Sequence, residues 1–100
     1  MSEDKLAIEN NPAEKRFQVE VDGHLAQLQY IETAHNITFT HTEVPDQLEG
    51  QGIGSRLAKH ALNYAVEHNL KIIPICPFVA AYIRRHAEYQ PHVYGYKPKN

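Results

Sequence analysis

Three glycines in alternate positions lead directly into an amphipathic segment near the middle of the chain. They lie within residues 49–56, as Gly50, Gly52 and Gly54. Because glycine carries no Cβ atom, a large anion can approach the main chain of such a loop closely. The start of the following helix adds unpaired N–H groups and about half a positive charge at the same place. The sequence therefore predicts a site for phosphate, and especially for pyrophosphate, at a helix N-terminus.

The glycine loop is flanked by a predicted strand and a predicted helix. Residues 37–44 are rich in threonine and β-branched side chains, which favours a strand. From about residue 52 to residue 68, apolar side chains recur at helical spacing, and Asn69 suits the left-handed conformation that ends many helices. Residues 71–76 form a short apolar strand, in which Pro74 predicts an edge position or a local separation from the neighbouring strand.

These two strands and the helix between them form one crossover unit. Such a crossover is almost always right-handed, which makes the two strands parallel. Their carboxyl ends then point toward the glycine loop, where ligands of such units bind. The alternative, in which the glycines only turn the chain into the helix, is weaker because three of them fall within five residues. The segment Gly54-Ser55-Arg56 fits neither a dinucleotide fingerprint nor a P-loop.

The first half of the chain predicts an antiparallel meander. Residues 17–21 alternate apolar and polar side chains, the pattern of a half-buried strand. Asp22-Gly23 suits a type I′ hairpin turn, which joins this strand to a partner from residue 24 to about residue 32. A short candidate strand at residues 6–8 precedes them and is ended by the Asn10-Asn11-Pro12 breaker.

Together, the elements predict an α/β (α+β) fold, with residues 1–100 as a single domain. We expect a mixed sheet of about five strands, in which an antiparallel meander precedes a parallel strand–helix–strand unit and a C-terminal helix. That last helix is predicted from Pro77, a residue favoured at the first helical position, to about His86. Residues 88–100 are predicted to be loop with a frayed end.

Composition excludes several classes of protein. A hydrophobic fraction of 42% with 22% charged residues is ordinary for a globular protein, and the net charge of −2 argues against nucleic-acid binding. No apolar run approaches the roughly 18 residues of a membrane span. The polar start at residues 1–5 does not match a secretory signal, and the single cysteine points to a reducing compartment. We expect a cytoplasmic protein that binds neither nucleic acid nor membrane.

Cys76 is the first candidate for chemistry. If Pro77 begins a helix, Cys76 is its N-cap residue, where the helix dipole favours thiolate over thiol. A buried structural cysteine fits the same position equally well, because short apolar strands often contain one. Position alone leaves the two interpretations open.

His41 is the second candidate. Alternation along its strand places His41 on one face with Ile37 and Phe39, near the carboxyl end of a strand adjacent to that of Cys76. A Cys–His pair beside an anion site would support acyl transfer, with the histidine activating the thiol. Glu43, two residues further on, could act as a base or as an orienting group. The alternative is a partly buried histidine that is hydrogen-bonded to its surroundings.

Two further patterns concern ligands. The histidines show no metal-binding spacing and only one cysteine is present, so no metal site is predicted. Phe78 and Tyr82 are spaced to share one helix face. Core packing is their default role, and contact with an apolar arm of a ligand is the alternative.

The residues around the glycine loop resemble those of the GNAT superfamily of acetyl-CoA-dependent N-acyltransferases. The signature Gln/Arg-x-x-Gly-x-Gly/Ala matches Glu49-Gly50-Gln51-Gly52-Ile53-Gly54 except at its first residue. Two further segments are similar to those of a small GNAT subfamily of about this length, the YjdJ type. They are Thr-Glu-Val-Pro before the loop and Ile-Cys-Pro-Phe-Val-Ala-Ala-Tyr-Ile-Arg-Arg-His after it. The resemblance covers residues 44–89.

The resemblance implies acetyl-CoA (coenzyme A) as co-substrate and a minimal GNAT-like fold. The pantetheine arm would lie between splayed parallel strands near Glu43 and Val44, and the thioester would arrive near His41 and Cys76. Phe78 and Tyr82 would contact the apolar arm. The pyrophosphate would be held by backbone N–H groups of Gln51, Gly52, Gly54 and Ser55.

The leading hypothesis is a minimal N-acetyltransferase. An amine, from a small molecule or a protein, would be acetylated directly with His41 or Glu43 as base, or through Cys76. The parts that build the acceptor site in larger relatives have no counterpart here, so the acceptor stays open. The alternatives are a non-catalytic acetyl-CoA-binding module, as a sensor or a subunit, and, more distantly, a nucleotide-binding module. We expect a monomer or a weak dimer.

Overall fold

The computed structural model describes residues 6–98, which form a five-stranded mixed sheet and two α-helices. The strands are β1 Glu9–Asn11, β2 Arg16–Val21, β3 His24–Glu32, β4 Asn36–Glu43 and β5 Lys71–Pro74. The α-helices are α1 Ile53–Glu67 and α2 Pro77–Arg85, and 3-10 helices lie at Asp46–Leu48 and Ala87–His92. The strands follow chain order in the sheet, with three antiparallel pairs and a parallel β4–β5 pair. The predicted fold class is confirmed.

Two expectations concern the chain ends. The polar start at residues 1–5 lies outside the described residues, as do residues 99–100 of the predicted frayed end. The rest of the predicted C-terminal loop is more regular than expected, because it begins with a 3-10 helix that buries Tyr89. Val93 then forms an isolated parallel bridge with Ile72 at the outer edge of β5. Neither α-helix, within the described residues, has the length and apolar character needed to cross a membrane.

The β2–β3 hairpin matches its sequence pattern. Asp22 and Gly23 have φ angles of 51° and 79°, which are the positive values of a type I′ turn. Phe17 and Val19 of β2 are buried, and so are Leu28 and Tyr30 of β3. The predicted alternation is therefore confirmed in both strands.

The predicted strand at residues 6–8 is wrong. The structure places β1 at Glu9–Asn11, across the segment predicted to break the strand. Polar side chains hold this edge strand: Gln18 donates to Glu9 Oε2 at 3.1 Å, and Asn11 donates to Gln18 Oε1 at 3.2 Å. Apolar periodicity does not detect a strand whose side chains pair by hydrogen bonds, and of the three predicted breaker residues only Pro12 lies beyond the end of the strand.

Strand β4 contains a β-bulge that changes which side chains face the core. Tyr30 pairs with Phe39 and Gln29 pairs with His41, so Thr40 is an extra residue without a partner in β3. Ile37 and Phe39 are fully buried before the bulge, whereas the His41 side chain after it is 58% exposed. The prediction that His41 shares their face is therefore wrong, because one inserted residue reverses the alternation.

The two helices complete the core. Helix α1 begins and ends within one residue of its predicted bounds, and Asn69 has the expected positive φ of 56°. Buried residues of both helices and inward-facing strand residues form one apolar cluster. The alternate strand residues carry a polar network, in which Arg16 donates to Gln18 and Gln27 donates to Glu43.

Candidate functional site

The parallel strands β4 and β5 separate at the end of the sheet nearest the glycine loop. Their pairing runs from Asn36 with Lys71 to Phe39 with Pro74, and a final bond from the Cys76 N–H to the Phe39 carbonyl measures 2.9 Å. Residues 40–43 continue β4 with β3 on one side and no described strand on the other. We call this open side of residues 40–43 the β4 seam. The prediction for Pro74 is confirmed, since β5 is both the edge strand and the place where pairing stops.

The glycine loop leaves the start of α1 uncapped. Gly52 is the N-cap residue, and no side chain of the described residues hydrogen-bonds there. The first backbone bond within the helix joins the Arg56 N–H to the Gly52 carbonyl at 3.1 Å. The N–H groups of residues 52–55 thus precede the first intrahelical bond. Gln51, Gly52 and Ser55 are exposed, so this helix start can accept an anion from solvent.

Glycine suits the three positions of the loop for different physical reasons. Gly50 and Gly52 have φ angles of 86° and 72°, and no atom lies within 4 Å of the place where a Cβ atom would stand. Gly54 has ordinary helical geometry, but a Cβ atom there would lie 2.8 Å from two ring atoms of Phe78. The first two glycines therefore leave open space at the helix start, whereas the third allows the N-termini of α1 and α2 to touch.

Cys76 lies at the N-cap of α2, as predicted, and Pro77 is the first helical residue. The Cys76 side chain is 2% exposed, and its Sγ atom is 3.2 Å from Thr42 Oγ1 in β4. Thr42 pairs with Leu28 on the core side of the sheet, one residue beyond His41. The thiol is therefore buried between the helix start and the β4 seam.

The structure does not bring His41 to Cys76. His41 Nε2 lies 3.8 Å from Glu43 Oε1 in a pair whose side chains are 58% and 60% exposed, on the sheet face away from the core. Gln27 also donates to Glu43 Oε1, at 3.3 Å. The predicted Cys–His pair is wrong for the same reason as the predicted face: the bulge at Thr40 turns His41 outward and Thr42 inward.

The remaining predicted ligand residues lie between these features and the core. Val44 and Phe78 are half-buried and pack against the apolar cluster. Tyr82 is 5% exposed, and its ring stacks on His86 with 3.9 Å between centroids. Burial raises the pKa of Tyr82 above its ordinary value. Phe78 is thus placed beside the glycine loop, whereas packing accounts for most of the surface of Tyr82.

Comparison with known proteins agrees with this geometry. The family model of GCN5-related N-acetyl-transferases matches residues 16–92, most of the chain. The chain belongs to this family.

Individual relatives of the GCN5-related family extend the match. Protein NATD1 of Mus musculus is 34% identical over 82 residues, which are 79% of this chain and 74% of that protein. Protein NATD1 of Homo sapiens has the same identity, over 79% of this chain and 73% of its own length. The NMR structure of a GCN5-like protein from Staphylococcus aureus, which is grouped with the N-acetyltransferases, is similar with a TM-score of 0.70 and 33% identity. The matched region covers 94% of this chain and 93% of the Staphylococcus aureus chain.

Thr42 is the neighbour of Cys76 that sequence reasoning missed. Strict alternation from Phe39 would turn Thr42 toward solvent, and only the bulge places its hydroxyl beside Cys76. A run of threonines at positions 38, 40 and 42 gives no sign of which one is the extra residue. The signal that could have found it is the polar pattern of β3, because Gln27 and Gln29 require solvent-facing partners in β4.

Proposed function

We propose that this chain binds acetyl-CoA and transfers its acetyl group to an amine by way of Cys76. The observation that carries the proposal is the convergence of three features at one end of the sheet. These features are the uncapped start of α1, the β4 seam and the thiol at the start of α2. Gly54 packs on Phe78 and so joins the two helix starts, and Thr42 contacts Cys76 and so joins the seam to the thiol. Family membership supports the use of an acyl-CoA.

The residues present fit a coenzyme A pyrophosphate. The N–H groups of Gln51, Gly52, Gly54 and Ser55 are proposed to hold it, and the open space at Gly50 and Gly52 leaves room for the phosphate oxygens. The helix dipole of α1 adds favourable charge there.

The pantetheine arm is proposed to occupy the β4 seam. The backbone groups of residues 40–43 on that side have no described strand to pair with, so an amide-containing arm can act as a pseudo-strand. Val44 and Phe78 would supply apolar contacts at its ends, and Tyr82 would contribute from deeper in the core.

The chemistry supported best uses a covalent acetyl-cysteine. The Sγ atom of Cys76 attacks the thioester carbonyl, the bond from that carbon to the coenzyme A sulfur breaks, and coenzyme A leaves as a thiol with the proton that Cys76 gave up. The nitrogen of an amine then attacks the acetyl-cysteine carbonyl, the bond from that carbon to Sγ breaks, and the thiolate released takes the proton that the amine gives up as it becomes an amide. The N-cap position of Cys76 favours this nucleophile because the start of α2 stabilises negative charge.

Direct transfer with His41 or Glu43 as base receives less support. Both side chains lie on the outer face of β4, whereas Cys76 belongs to the core cluster on the inner face. The acceptor amine, from a small molecule or a protein, would have to be deprotonated on the face away from the thiol. Either residue remains a candidate for contact with an acceptor that approaches from the outer face.

A second candidate function is a non-catalytic acetyl-CoA-binding module. The 2% exposure of Cys76 favours it, because a thioester reaches a buried thiol only if ligand binding or an opening of the β4 seam exposes the sulfur. This module would act as a sensor or as a subunit whose partner supplies the acceptor groove.

Intact-protein mass spectrometry separates these two functions. Mixing the protein with acetyl-CoA is expected to add one acetyl group, which is absent in Cys76→Ser and is lost when an amine is added. An unmodified protein that binds acetyl-CoA by calorimetry would establish the binding module instead. The absence of any binding would overturn both.

Three finer statements belong to the same proposal. The small YjdJ-type subfamily is supported by length, since the Staphylococcus aureus relative and this chain cover each other almost end to end. A cytoplasmic location is supported by the single free thiol. One domain for residues 1–100 is supported by one apolar cluster in the described residues, and a monomer or weak dimer stays a prediction.

A further inference from the structure

The hydroxyl group of Thr42 is the one side-chain hydrogen-bond partner of Cys76 among the described residues. The two atoms, Oγ1 and Sγ, are 3.2 Å apart, and either can donate. This contact joins β4 to the start of α2 across 34 positions of sequence, at the edge of the β4 seam. The bulge at Thr40 is what creates it, because strict alternation of this sequence from Phe39 would turn Thr42 away from the core.

We propose that Thr42 is a positioning residue for Cys76, and this inference rests on the proposed function. When Cys76 is a thiol, the hydroxyl oxygen can accept a hydrogen bond from its S–H group. When Cys76 is a thiolate, the hydroxyl donates to the sulfur and stabilises the charge, since hydrogen bonds to charged groups are the stronger kind. In both states the bond holds the Sγ atom at the open side of β4, where the thioester is proposed to arrive.

Other ionisable groups around Cys76 are placed less directly. On β4, His41 and Glu43 point to the opposite face of the sheet and pair with each other. On α2, the first ionisable side chain is Tyr82, more than one turn beyond the N-cap, and on α1 it is Arg56. The hydroxyl of Thr42, 3.2 Å from the sulfur, is therefore the neighbour whose removal tests the inference.

The test measures how fast iodoacetamide alkylates Cys76 over a range of pH. Because the chain has one cysteine, every alkylated molecule reports this thiol. Thr42→Val keeps the shape of the side chain and removes the hydroxyl, and Thr42→Ser keeps the hydroxyl. Thr38→Val is the matched control on the same strand, since Thr38 pairs with Ile31 and Ile73 before the bulge.

We expect Thr42→Val to lower the alkylation rate at neutral pH by about tenfold and to move the pH–rate profile to higher pH. Thr42→Ser and Thr38→Val should stay within about twofold of the parent protein. If Thr42→Val does not fold, Thr42→Ala gives the same comparison without a larger apolar side chain. Profiles for the hydroxyl-free variants that coincide with that of the parent protein would overturn the inference.

Acetyl-CoA binding and Cys76 acetylation, measured on the same samples, keep this inference separate from the proposed function. If the parent protein is acetylated but the Thr42→Val profile does not move, the positioning role of Thr42 is overturned and the proposed function stands. If the parent protein neither binds acetyl-CoA nor becomes acetylated, the proposed function is overturned. A shifted Thr42→Val profile would in that case still show that the hydroxyl controls the reactivity of the Cys76 thiol.

Discussion

Single residues at the glycine loop show why a motif and its physical cause must be separated. Gly52 is needed for a left-handed N-cap with open space around it, and Gly54 is needed because the Phe78 ring occupies the place of its Cβ atom. The sequence pattern treats these two positions alike. The structure assigns one to the surface at which a ligand would bind and the other to the packing of two helix starts.

Gly54→Ala is therefore predicted to destabilise the protein through Phe78 and not through the backbone. The free energy of unfolding should fall by about 1–3 kcal/mol, because the new methyl group overpacks against the ring. In a Phe78→Ala background the same change should stabilise the fold by roughly 0.5–1 kcal/mol, since alanine favours a helix more than glycine does. Urea denaturation of the four proteins of this cycle measures the coupling. Equal destabilisation in both backgrounds would contradict the contact.

Tyr64 is predicted to make the fold sensitive to strong base. Burial, and then a hydrogen bond to Glu32 Oε1 at 2.7 Å, raise the pKa of Tyr64 to about 12. The unfolded value is near 10, so this contribution to stability is complete below about pH 10 and is lost as the pH rises toward 12. Ultraviolet titration of the parent protein against Tyr64→Phe isolates this group.

The Glu32 carboxylate gives the control for that titration. Glu32→Gln should lower the pKa of Tyr64, because a neutral amide removes the repulsion that opposes tyrosinate formation. Glu20→Gln, on the exposed side of β2, should leave the titration of Tyr64 unchanged. A Tyr64 that titrates near 10 in the parent protein would show that its burial and its bond to Glu32 do not hold in solution.

At the scale of elements, β4 is where prediction from sequence succeeded in part and failed in part. The existence of the strand, its parallel pairing with β5 and the separation at Pro74 all follow from hydrophobic pattern, crossover handedness and proline chemistry. The face of His41 does not follow from the alternation of β4 alone, because a bulge is decided by the pairing of two strands. The predicted catalytic pair depended on that one register step.

Deletion of Thr40 is predicted to leave the inward and outward faces of β4 unchanged. Without the extra residue, regular pairing would follow Phe39 directly with His41, so His41 and Glu43 would stay on the outer face and Thr42 would stay opposite Leu28 on the core side. The free energy of unfolding should fall by only about 1 kcal/mol, because no charged side chain enters the core and the bond from Thr40 to the Gln29 carbonyl is lost. Thermal denaturation followed by circular dichroism measures the loss.

Thr40→Val is the matched comparison for the deletion. It keeps the bulge and removes only the bond from Thr40 Oγ1 to the Gln29 carbonyl, which measures 3.3 Å, so a change of about 1 kcal/mol is expected. A deletion that costs about 3 kcal/mol more than Thr40→Val would contradict Thr40 as the extra residue, because loss of a paired residue would turn His41 and Glu43 toward the core.

For the whole molecule, the order of elements was the most predictable property. The hairpin turn, the helix bounds and the N-cap position of Cys76 follow from local chemistry. The polar strand β1 and the 3-10 helix that buries Tyr89 were missed, because their stability comes from contacts with distant segments, such as the Tyr89 hydroxyl bond to Asn63. The candidate site was predictable as far as local chemistry reached: the loop and the cysteine, but not Thr42.

The central claim is that one ligand spans the start of α1, the β4 seam and the start of α2. Titration of the labelled protein with acetyl-CoA, followed by amide proton–nitrogen correlation spectra, tests it most directly. The largest shifts are expected at Gln51, Gly52, Gly54 and Ser55 and at residues 40–43, while the hairpin turn at Asp22-Gly23 should stay in place. Spectra that do not change on addition of acetyl-CoA, or that change elsewhere and leave the glycine loop untouched, would contradict the claim.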